Sequence, residues 1–440
     1  MRTYPHIGVQ IPQIYLPTPG VDLQKWSVIA CDQYTSQPKY WQRVEAFVEN
    51  SPSTLHLILP EVYLSTPEEE QRILSIRQTM QRYLQQGILI PHEGLVLVER
   101  RTDHKIRHGL ILALDLESYD FHPNAKSLIR ASEQTILERI PPRLKIRQNA
   151  LLEVPHVLVL IDDPGLSVIE PLIQQKHRFK TLYDFELMFQ AGHLRGYAIN
   201  SFEIENQVIQ ALTNLASPEV FRQKYGLTDD EVMLFATGDG NHSLATAKAF
   251  WDSIKNEVTD THPARYALVE IENIHDPGLT FNPIHRIIFG VRDNIQTALE
   301  NYFGEQLVFN PCLDKQLMMN IVNEMQSKDG HTFGVVTDYC YGIATISKPT
   351  ANLPVGTLQN FLDRWKIMDG YQEIDYVHGS EVVDEVGRQP GNIGFYLPAM
   401  NKFEFFKTVI IDGILPRKSF SMGESDEKRF YMECRKIAED

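Results

Sequence analysis

Residues 231–251 have the sequence EVMLFATGDGNHSLATAKAFW, which predicts a strand, a turn and a helix in succession. The unbroken apolar run 232–236 is typical of a buried strand. Residues 244–254 are rich in alanine and other helix-compatible residues. The chain is therefore expected to pass from strand to helix through the turn Gly238-Asp239-Gly240-Asn241-His242-Ser243.

A strand-to-helix turn of this composition predicts an anion site. The first turn of a helix presents backbone N–H groups and the positive end of the helix dipole, and glycines let a ligand approach closely. We expect a phosphate group here, contacted by Gly238, Gly240, Asn241, His242 and Ser243. Asp239 is the candidate ligand for a magnesium ion, and His242 a candidate proton carrier. The alternative is a turn that only redirects the chain.

Two well-known phosphate motifs do not match this turn. A Walker A loop requires Gly-x-x-x-x-Gly-Lys-Ser/Thr, and Lys248 comes too late, inside the predicted helix. The dinucleotide fingerprint Gly-x-Gly-x-x-Gly/Ala is met at only two of its three positions, because Ser243 occupies the third. The turn therefore indicates an anion site without specifying its ligand.

The charge of the chain excludes some classes of partner. Among 440 residues, 57 are acidic and 42 are basic, which gives a formal net charge of −15. Such a field opposes binding to nucleic acid or to an anionic membrane surface. We expect small-molecule partners instead.

Cysteine usage and hydropathy predict a cytoplasmic protein. The four cysteines are scattered without a Cys-x-x-Cys pair, which disfavours a zinc site and a disulfide framework. The N-terminus lacks the apolar core of a signal peptide, and no run approaches the roughly 20 apolar residues of a membrane span.

A basic segment at residues 129–147, IRASEQTILERIPPRLKIR, is unusual in so acidic a chain. Arginine forks match phosphate oxygens, so Arg130, Arg139, Arg143 and Arg147 are candidates to surround an anion, with Glu133 as a general base. The alternative is a solvated helix face with ion pairs, which charge runs alone favour.

The remaining pattern predicts an α/β fold of mixed α+β character. It has a strand-loop-helix phosphate-binding core, additional mixed sheets and flanking helices. We expect an N-terminal region at 1–120, a nucleotide-binding core at 121–290 and a C-terminal region at 291–440, or one compact unit. Local patterns predict a short strand at 55–59, paired strands at 95–98 and 110–116, a helix capped by Thr66, and a last helix at 427–438. Residues 31–38 are either a surface loop, which we favour, or a substrate-facing wall.

The turn resembles a known family signature. The sequence Asp239-Gly240-Asn241-His242-Ser243 is similar to the Asp-Gly-His-His-Arg motif of the domain-of-unknown-function 1015 family. Further blocks agree in the same order, namely IRASEQT at 129–135, IHR at 284–286 and LPRKS at 415–419. The resemblance covers essentially the whole chain.

The resemblance implies a nucleotide site. The family looks like a distant relative of the partition-protein/sulfiredoxin superfamily, whose members bind nucleotide phosphates at the corresponding helix start and include free-serine kinases. The positions that match the blocks are Asp239, Gly240, His242, Glu133, Arg130 and His285. Asn241 replaces a histidine, and Ser243 replaces the arginine that contacts phosphate. Either another cation supplies that charge, with Arg286, Arg130 and Lys418 as candidates, or this protein binds a different ligand.

These observations lead to a functional hypothesis. We expect a phosphotransferase that uses ATP or another nucleotide with Mg²⁺ and acts on a small hydroxylated metabolite, with a serine-like amino acid as the first guess. Asp239 would hold the metal, Glu133 would deprotonate the acceptor, and Arg130, Arg139 and Arg143 would neutralise the transferred charge. The alternatives are a non-catalytic nucleotide- or metabolite-binding regulatory protein and a phosphate-ester hydrolase. A NAD-dependent oxidoreductase ranks last because the fingerprint is incomplete.

Overall fold

The structure is a computed structural model that describes residues 1–102, 105–227, 231–325, 330–424 and 427–439. The strands within these ranges are β1 (Arg2–Tyr4), β2 (Val9–Ile11), β3 (Gln13–Pro17), β4 (Leu89–Glu93), β5 (Leu95–Arg101), β6 (Ile106–Asp115), β7 (Tyr119–Asp120), β8 (Ile129–Arg130), β9 (Leu152–Glu153), β10 (Leu158–Ile161), β11 (Thr181–Glu186), β12 (His193–Ile199), β13 (Phe235–Asp239), β14 (Tyr266–Asn273), β15 (Phe281–Pro283), β16 (His285–Phe289), β17 (Leu307–Cys312), β18 (Gly330–Val336), β19 (Tyr341–Ser347), β20 (Glu373–Val377), β21 (Asn392–Tyr396), β22 (Phe420–Met422) and β23 (Arg435–Lys436).

The helices in the same ranges are α1 (Leu23–Trp26), α2 (Pro38–Val48), α3 (Glu69–Gln85), α4 (Ile140–Arg147), α5 (Glu170–Gln175), α6 (Phe202–Leu215), α7 (Pro218–Tyr225), α8 (Asn241–Ile254), α9 (Ile295–Phe303), α10 (Lys315–Glu324), α11 (Pro354–Ile367), α12 (Ser380–Gly387) and α13 (Phe405–Asp412). In the described part of the chain, no helix combines the length and the hydropathy needed to cross a membrane. The predicted mixed α/β fold class is confirmed.

The chain divides into two compact units, which are Met1–Leu279 together with Gly423–Asp440, and Thr280–Met422. Eleven of the described strands of the first unit form one mixed sheet, in the order β11-β12-β5-β6-β14-β10-β13-β8-β7, with β2 also paired to β6 and β1 to β2. Strand β10 runs parallel to β14 and antiparallel to β13, and β13 runs parallel to β8. The predicted pairing of the apolar runs after residues 95 and 110 is confirmed as the antiparallel pair β5 and β6.

Both faces of this sheet are buried, which explains its near-continuous apolar strands. Alternate residues of β5 and β6, such as Leu97 and Leu112, belong to a core that also contains Leu244 and Trp251 of α8. Their neighbours, such as Val98 and Ile111, belong to a second core. Side chains from α2 and α3 and from residues 430–437 complete this second core. Helix α8 is thus held on one defined face of the sheet.

Three local predictions were wrong. Residues 55–59 do not form a strand, because Thr54–Leu57 make a short 3₁₀ turn capped by Ser53. Helix α3 begins only at Glu69, since the Thr66 hydroxyl donates to the Tyr63 carbonyl oxygen instead of capping the helix. Residues 427–439 are not helical and instead include β23, which pairs with β9.

The second unit has its own sheet and core. Its six-stranded sheet, made of described strands, has the order β17-β19-β18-β21-β16-β20, and every pairing in it is antiparallel. Side chains of α9 and α11 pack on one face, where Phe361 and Trp365 are buried. Strands β15 and β22 form a separate pair.

The sheet of the first unit also buries charge, and this predicts a pH-dependent stability. Burial raises the pKa of Glu272 to about 8; Arg107 opposes the shift, and Glu270 and Asp276 add to it. The Arg107 Nε atom lies 2.7 Å from Glu272 Oε1, but the contact lacks the alignment of a hydrogen bond. The folded protein therefore prefers the protonated form of this carboxyl group.

We expect Glu272→Gln to stabilise the protein increasingly as the pH rises. Because the folded pKa is raised, the stability that Glu272 contributes is complete below its ordinary pKa of 4.5 and is lost as the pH approaches 8. Glutamine undergoes no such loss. The Tm difference between variant and parent should grow from pH 5 to pH 8.5, while Glu203→Gln on exposed α6 surface should show no trend. A constant difference across this range would contradict the assignment.

Candidate functional site

The predicted turn between strand and helix is present, and a glycine starts the helix. Gly240 has the left-handed conformation, with φ of 77°, and its carbonyl oxygen accepts the Ser243 and Leu244 N–H groups at 2.9 and 3.1 Å. A Cβ atom at position 240 would lie 3.0 Å from Val157 Cα and 3.2 Å from Val157 Cγ2. Both the conformation and the close approach of the neighbouring chain therefore require glycine here.

Asp239, the last residue of β13, forms an ion pair that the sequence did not predict. Its Oδ2 atom lies 3.0 Å from the Lys428 ammonium, and its Oδ1 atom accepts the Gly240 N–H at 3.0 Å. Desolvation acts to raise the pKa of this carboxyl group, but Lys428 outweighs it and holds the pKa below its ordinary value. The carboxylate is thus ionised, with a cation fixed beside the helix start.

Asp239 was predicted from the sequence to bind a magnesium ion. Each Asp239 oxygen already has one partner, the Lys428 ammonium on Oδ2 and the Gly240 N–H on Oδ1. Among the residues that the structure describes, no group of three or more His, Cys, Asp and Glu side chains is placed to hold a metal. A magnesium ion at Asp239 would therefore take most of its ligands from phosphate and water.

The basic segment and the turn lie in contact. The sequence alone did not show whether they meet. The Ser132 N–H donates to Thr237 Oγ1 at 3.0 Å, and the Ile136 N–H donates to His242 Nε2 at 3.1 Å. Helix α4 packs along α8. Because His242 Nε2 accepts a hydrogen bond, the neutral ring carries its hydrogen on Nδ1.

The candidate residues of the basic segment occupy different environments. The guanidinium of buried Arg130 donates to the carbonyl oxygens of Ser127 and Glu231 at 2.9 and 2.7 Å. Arg139 is exposed just before α4, and Glu133 is half-buried in the loop after β8. Arg143 donates to the Arg139 carbonyl oxygen at 2.6 Å and forms an ion pair with Glu61.

The other candidates in the turn also have defined partners. Asn241, the first residue of α8, accepts a hydrogen bond from the Thr237 hydroxyl. Gly238 is half-buried within β13.

Ser243 belongs to a chain of hydrogen bonds that was not predicted from the sequence. Its Oγ atom lies 3.0 Å from His156 Nε2, and His156 Nδ1 lies 2.8 Å from the Tyr431 hydroxyl. That hydroxyl also accepts the Cys31 N–H at 3.0 Å, and Asp32 Oδ2 lies 3.8 Å from His156 Nε2. Residues 31 and 32, for which a surface loop was favoured, therefore lie beside the start of α8.

His285 and Arg286 belong to the second unit and have partners inside it. His285 Nδ1 accepts the Leu397 N–H at 3.1 Å and stacks on Tyr396. Burial lowers the pKa of His285 to about 4, with Arg286 adding to the effect, so the imidazole is neutral. Arg286 is fully buried and donates to the carbonyl oxygens of Ile284 and Arg417.

Sequence reasoning missed Lys428 and His156, and little in the sequence could have revealed them. Lys428 stands in a charged segment that was predicted to be helical. His156 comes directly before an apolar run, where a single histidine carries no motif. They lie 189 and 87 residues away from their partners, Asp239 and Ser243.

Comparisons with known proteins give the following result. No curated protein matches this chain. Among solved structures, a free serine kinase variant in complex with ADP matches with a TM-score of 0.39 and 10% identity, over 77% of this chain and 95% of that chain. A free serine kinase in complex with AMP matches with a TM-score of 0.37 and 10% identity, over 74% and 91%. A conserved hypothetical protein from Pyrococcus furiosus matches with a TM-score of 0.36 and 10% identity, over 74% and 95%.

The family predicted from the sequence blocks is confirmed. A family model described as "Protein of unknown function (DUF1015)" matches residues 15–365. Because this match covers most of the chain, the protein belongs to the DUF1015 family.

Proposed function

We propose that the protein is a nucleotide-dependent phosphotransferase that acts on a small hydroxylated metabolite. The observation that carries this proposal is the start of α8, where Gly240 opens a 14-residue helix and Lys428 is fixed 3.0 Å from Asp239. The N–H groups of a helix start favour a phosphate group, and the Lys428 ammonium, which has three N–H donors, would contact the phosphate while keeping Asp239. The nucleotide phosphates would bind at residues 238–243.

In this proposal, Lys428 supplies the positive charge of the phosphate-contacting arginine that the family signature has where this chain has Ser243. Of the cations considered from the sequence, Arg130 donates to two backbone carbonyl oxygens. Lys428 lies beside the turn itself. Its charge is held in place by Asp239, so in this proposal Asp239 positions the lysine, and Mg²⁺ accompanies the nucleotide phosphates.

The basic segment would complete the site. Glu133 belongs to the short loop between Ser132 and Ile136, whose backbone N–H groups donate to Thr237 and His242. Glu133 would accept the proton of the acceptor hydroxyl, while that oxygen attacks the terminal phosphorus of a nucleoside triphosphate and the nucleoside diphosphate leaves. Arg139, just before α4, would neutralise charge on the transferred group, whereas Arg143 is already paired with Glu61.

Nucleotide binding is the first test. We expect one of ATP, ADP, CTP and GTP, each with and without Mg²⁺, to raise the Tm by several degrees at saturation, because a ligand of the folded state stabilises it. Lys428→Met should weaken that binding at least about tenfold, since it removes a charge-assisted contact. The matched control is Lys248→Met, which removes a lysine paired with Asp252 on α8. Equal weakening in both variants, or no shift with any nucleotide, would contradict the proposal.

Turnover separates a kinase from its alternatives. With the nucleotide identified, hydroxylated metabolites are screened for nucleoside diphosphate release, and Glu133→Gln should abolish turnover while leaving the nucleotide Tm shift unchanged. Binding without any product would favour the regulatory protein. Phosphate release from a phosphorylated metabolite without nucleotide would favour the hydrolase.

A further inference from the structure

A cavity of about 150 Å³ lies against the first turns of α8, in the first unit. Six of its lining residues carry polar groups that contact one another in one continuous patch, namely Cys31, Glu61, Arg143, His156, Ser243 and Tyr431. Most of the remaining lining is aliphatic, as with Leu59, Met80 and Ala247. The cavity thus offers an apolar body with one polar wall.

The charges around the cavity cancel one another. Glu61 pairs with Arg143, and Glu153 lies 2.6 Å from Arg147. Since each lining cation already has a lining anion, a charged ligand would either break a pair or remain uncompensated, and both are costly away from water. A neutral ligand avoids this cost.

The polar wall can recognise a hydroxyl group. The Tyr431 hydroxyl accepts the Cys31 N–H and lies 2.8 Å from His156 Nδ1, where either atom can be the donor. In the tautomer that this inference uses, His156 carries its hydrogen on Nε2 and donates it to Ser243 Oγ. The Ser243 hydroxyl hydrogen therefore remains available to a ligand oxygen. Burial, opposed by Arg143 and reinforced by Asp32, raises the pKa of Glu61 on the same wall.

The volume limits the size of the ligand. An apolar cavity of about 150 Å³ in another protein is large enough for benzene. This volume suits a hydrocarbon body of about six carbon atoms and is smaller than a whole nucleotide.

We infer that this cavity binds a neutral hydroxylated molecule with a compact apolar body, oriented by Ser243 and His156. The inference rests on the proposed function, because it names this class of molecule as the phosphoryl acceptor in place of the serine-like amino acid. Ser243 lies in the turn that would bind the phosphates, so its hydroxyl would place the acceptor oxygen beside the nucleotide.

The probe is benzyl alcohol, measured against toluene and L-serine on the full chain without nucleotide. Benzyl alcohol should raise the Tm by about 1–2 °C at millimolar concentration, toluene by less, and serine by nothing measurable. Ala247→Leu and Ala150→Leu, which fill the cavity from different segments, should abolish the benzyl alcohol shift. Ala249→Leu, on α8 but outside the cavity lining, is the matched control and should keep it.

A third variant keeps the inference testable if the two cavity-filling variants do not fold. Ser243→Ala should bind benzyl alcohol and toluene equally, because only the hydroxyl contact is removed. A shift with serine but not with benzyl alcohol, or a benzyl alcohol shift that survives both filling substitutions, would overturn the inference. Benzyl alcohol binding in a protein that binds no nucleotide would leave the cavity assignment standing and defeat the phosphotransferase proposal. Nucleotide binding without benzyl alcohol binding would support the phosphotransferase proposal and overturn the cavity assignment.

Discussion

Gly240→Ala is expected to destabilise the first unit by about 3 kcal/mol. Two effects contribute. An alanine in the left-handed conformation costs about 1–2 kcal/mol, and the new Cβ atom would press on the Val157 backbone at 3.0 Å. Backbone cannot rotate away as a flexible side chain can, so β10 or the start of α8 must shift. Thermal unfolding monitored by calorimetry measures the loss.

The chain offers a matched control for this substitution. Gly226, which ends α7, has φ of 70°, but a Cβ atom there would meet no atom of the described residues within 4 Å. Gly226→Ala should therefore show only the conformational cost of about 1 kcal/mol. If the two variants lose the same stability, the contact with Val157 contributes nothing. The Gly240 variant should also bind nucleotide more weakly, since the helix start that would hold the phosphates has moved.

Arg435→Met is expected to produce the largest loss of stability, about 3–5 kcal/mol. The Arg435 guanidinium is buried and donates to Glu153 Oε1 at 2.7 Å, to the Pro263 carbonyl oxygen at 2.9 Å and to the Tyr266 carbonyl oxygen. Burial acts to raise the pKa of Glu153, but Arg435, followed by Arg147, holds it below its ordinary value. Methionine would leave a buried carboxylate with one cation fewer and two carbonyl oxygens without these donors.

Urea unfolding of the full chain at pH 7 measures this loss. The control is Arg101→Met, which removes a surface pair with Glu186 at 3.5 Å in the same unit. Exposed ion pairs contribute little, so its effect should stay within about 0.5 kcal/mol. Comparable losses in the two variants would show that burial of the Arg435 pair does not matter. At lower pH the Arg435 variant should recover part of its loss, because protonation of Glu153 removes the uncompensated charge.

The sequence by itself determined the local elements and the family. The turn at 238–243 was predicted because an apolar run, two glycines and a helix-forming run follow one another within about twenty residues. Strands β5 and β6 were also predicted from local signals. Hydrophobic periodicity, residue composition and turn residues all act over short stretches of sequence. Matching short blocks in a fixed order identified the DUF1015 family without any knowledge of the fold.

Only the tertiary structure decided which side chains meet. Residues 427–438 have a locally helical pattern, yet β23 pairs with β9, and residues 429–431 form backbone hydrogen bonds with residues 28–30. In this extended segment, Lys428 lies beside Asp239 and Tyr431 beside His156. Likewise, the pair of His156 with Ser243 depends on where β10 begins beside the end of β13 and the start of α8. Local propensity is worth tenths of a kcal/mol per residue, whereas strand pairing and burial of a whole segment are worth several, so they override it. Contacts between residues so far apart in the chain have no local signature, which is why the turn was predicted and its cation and cavity were not.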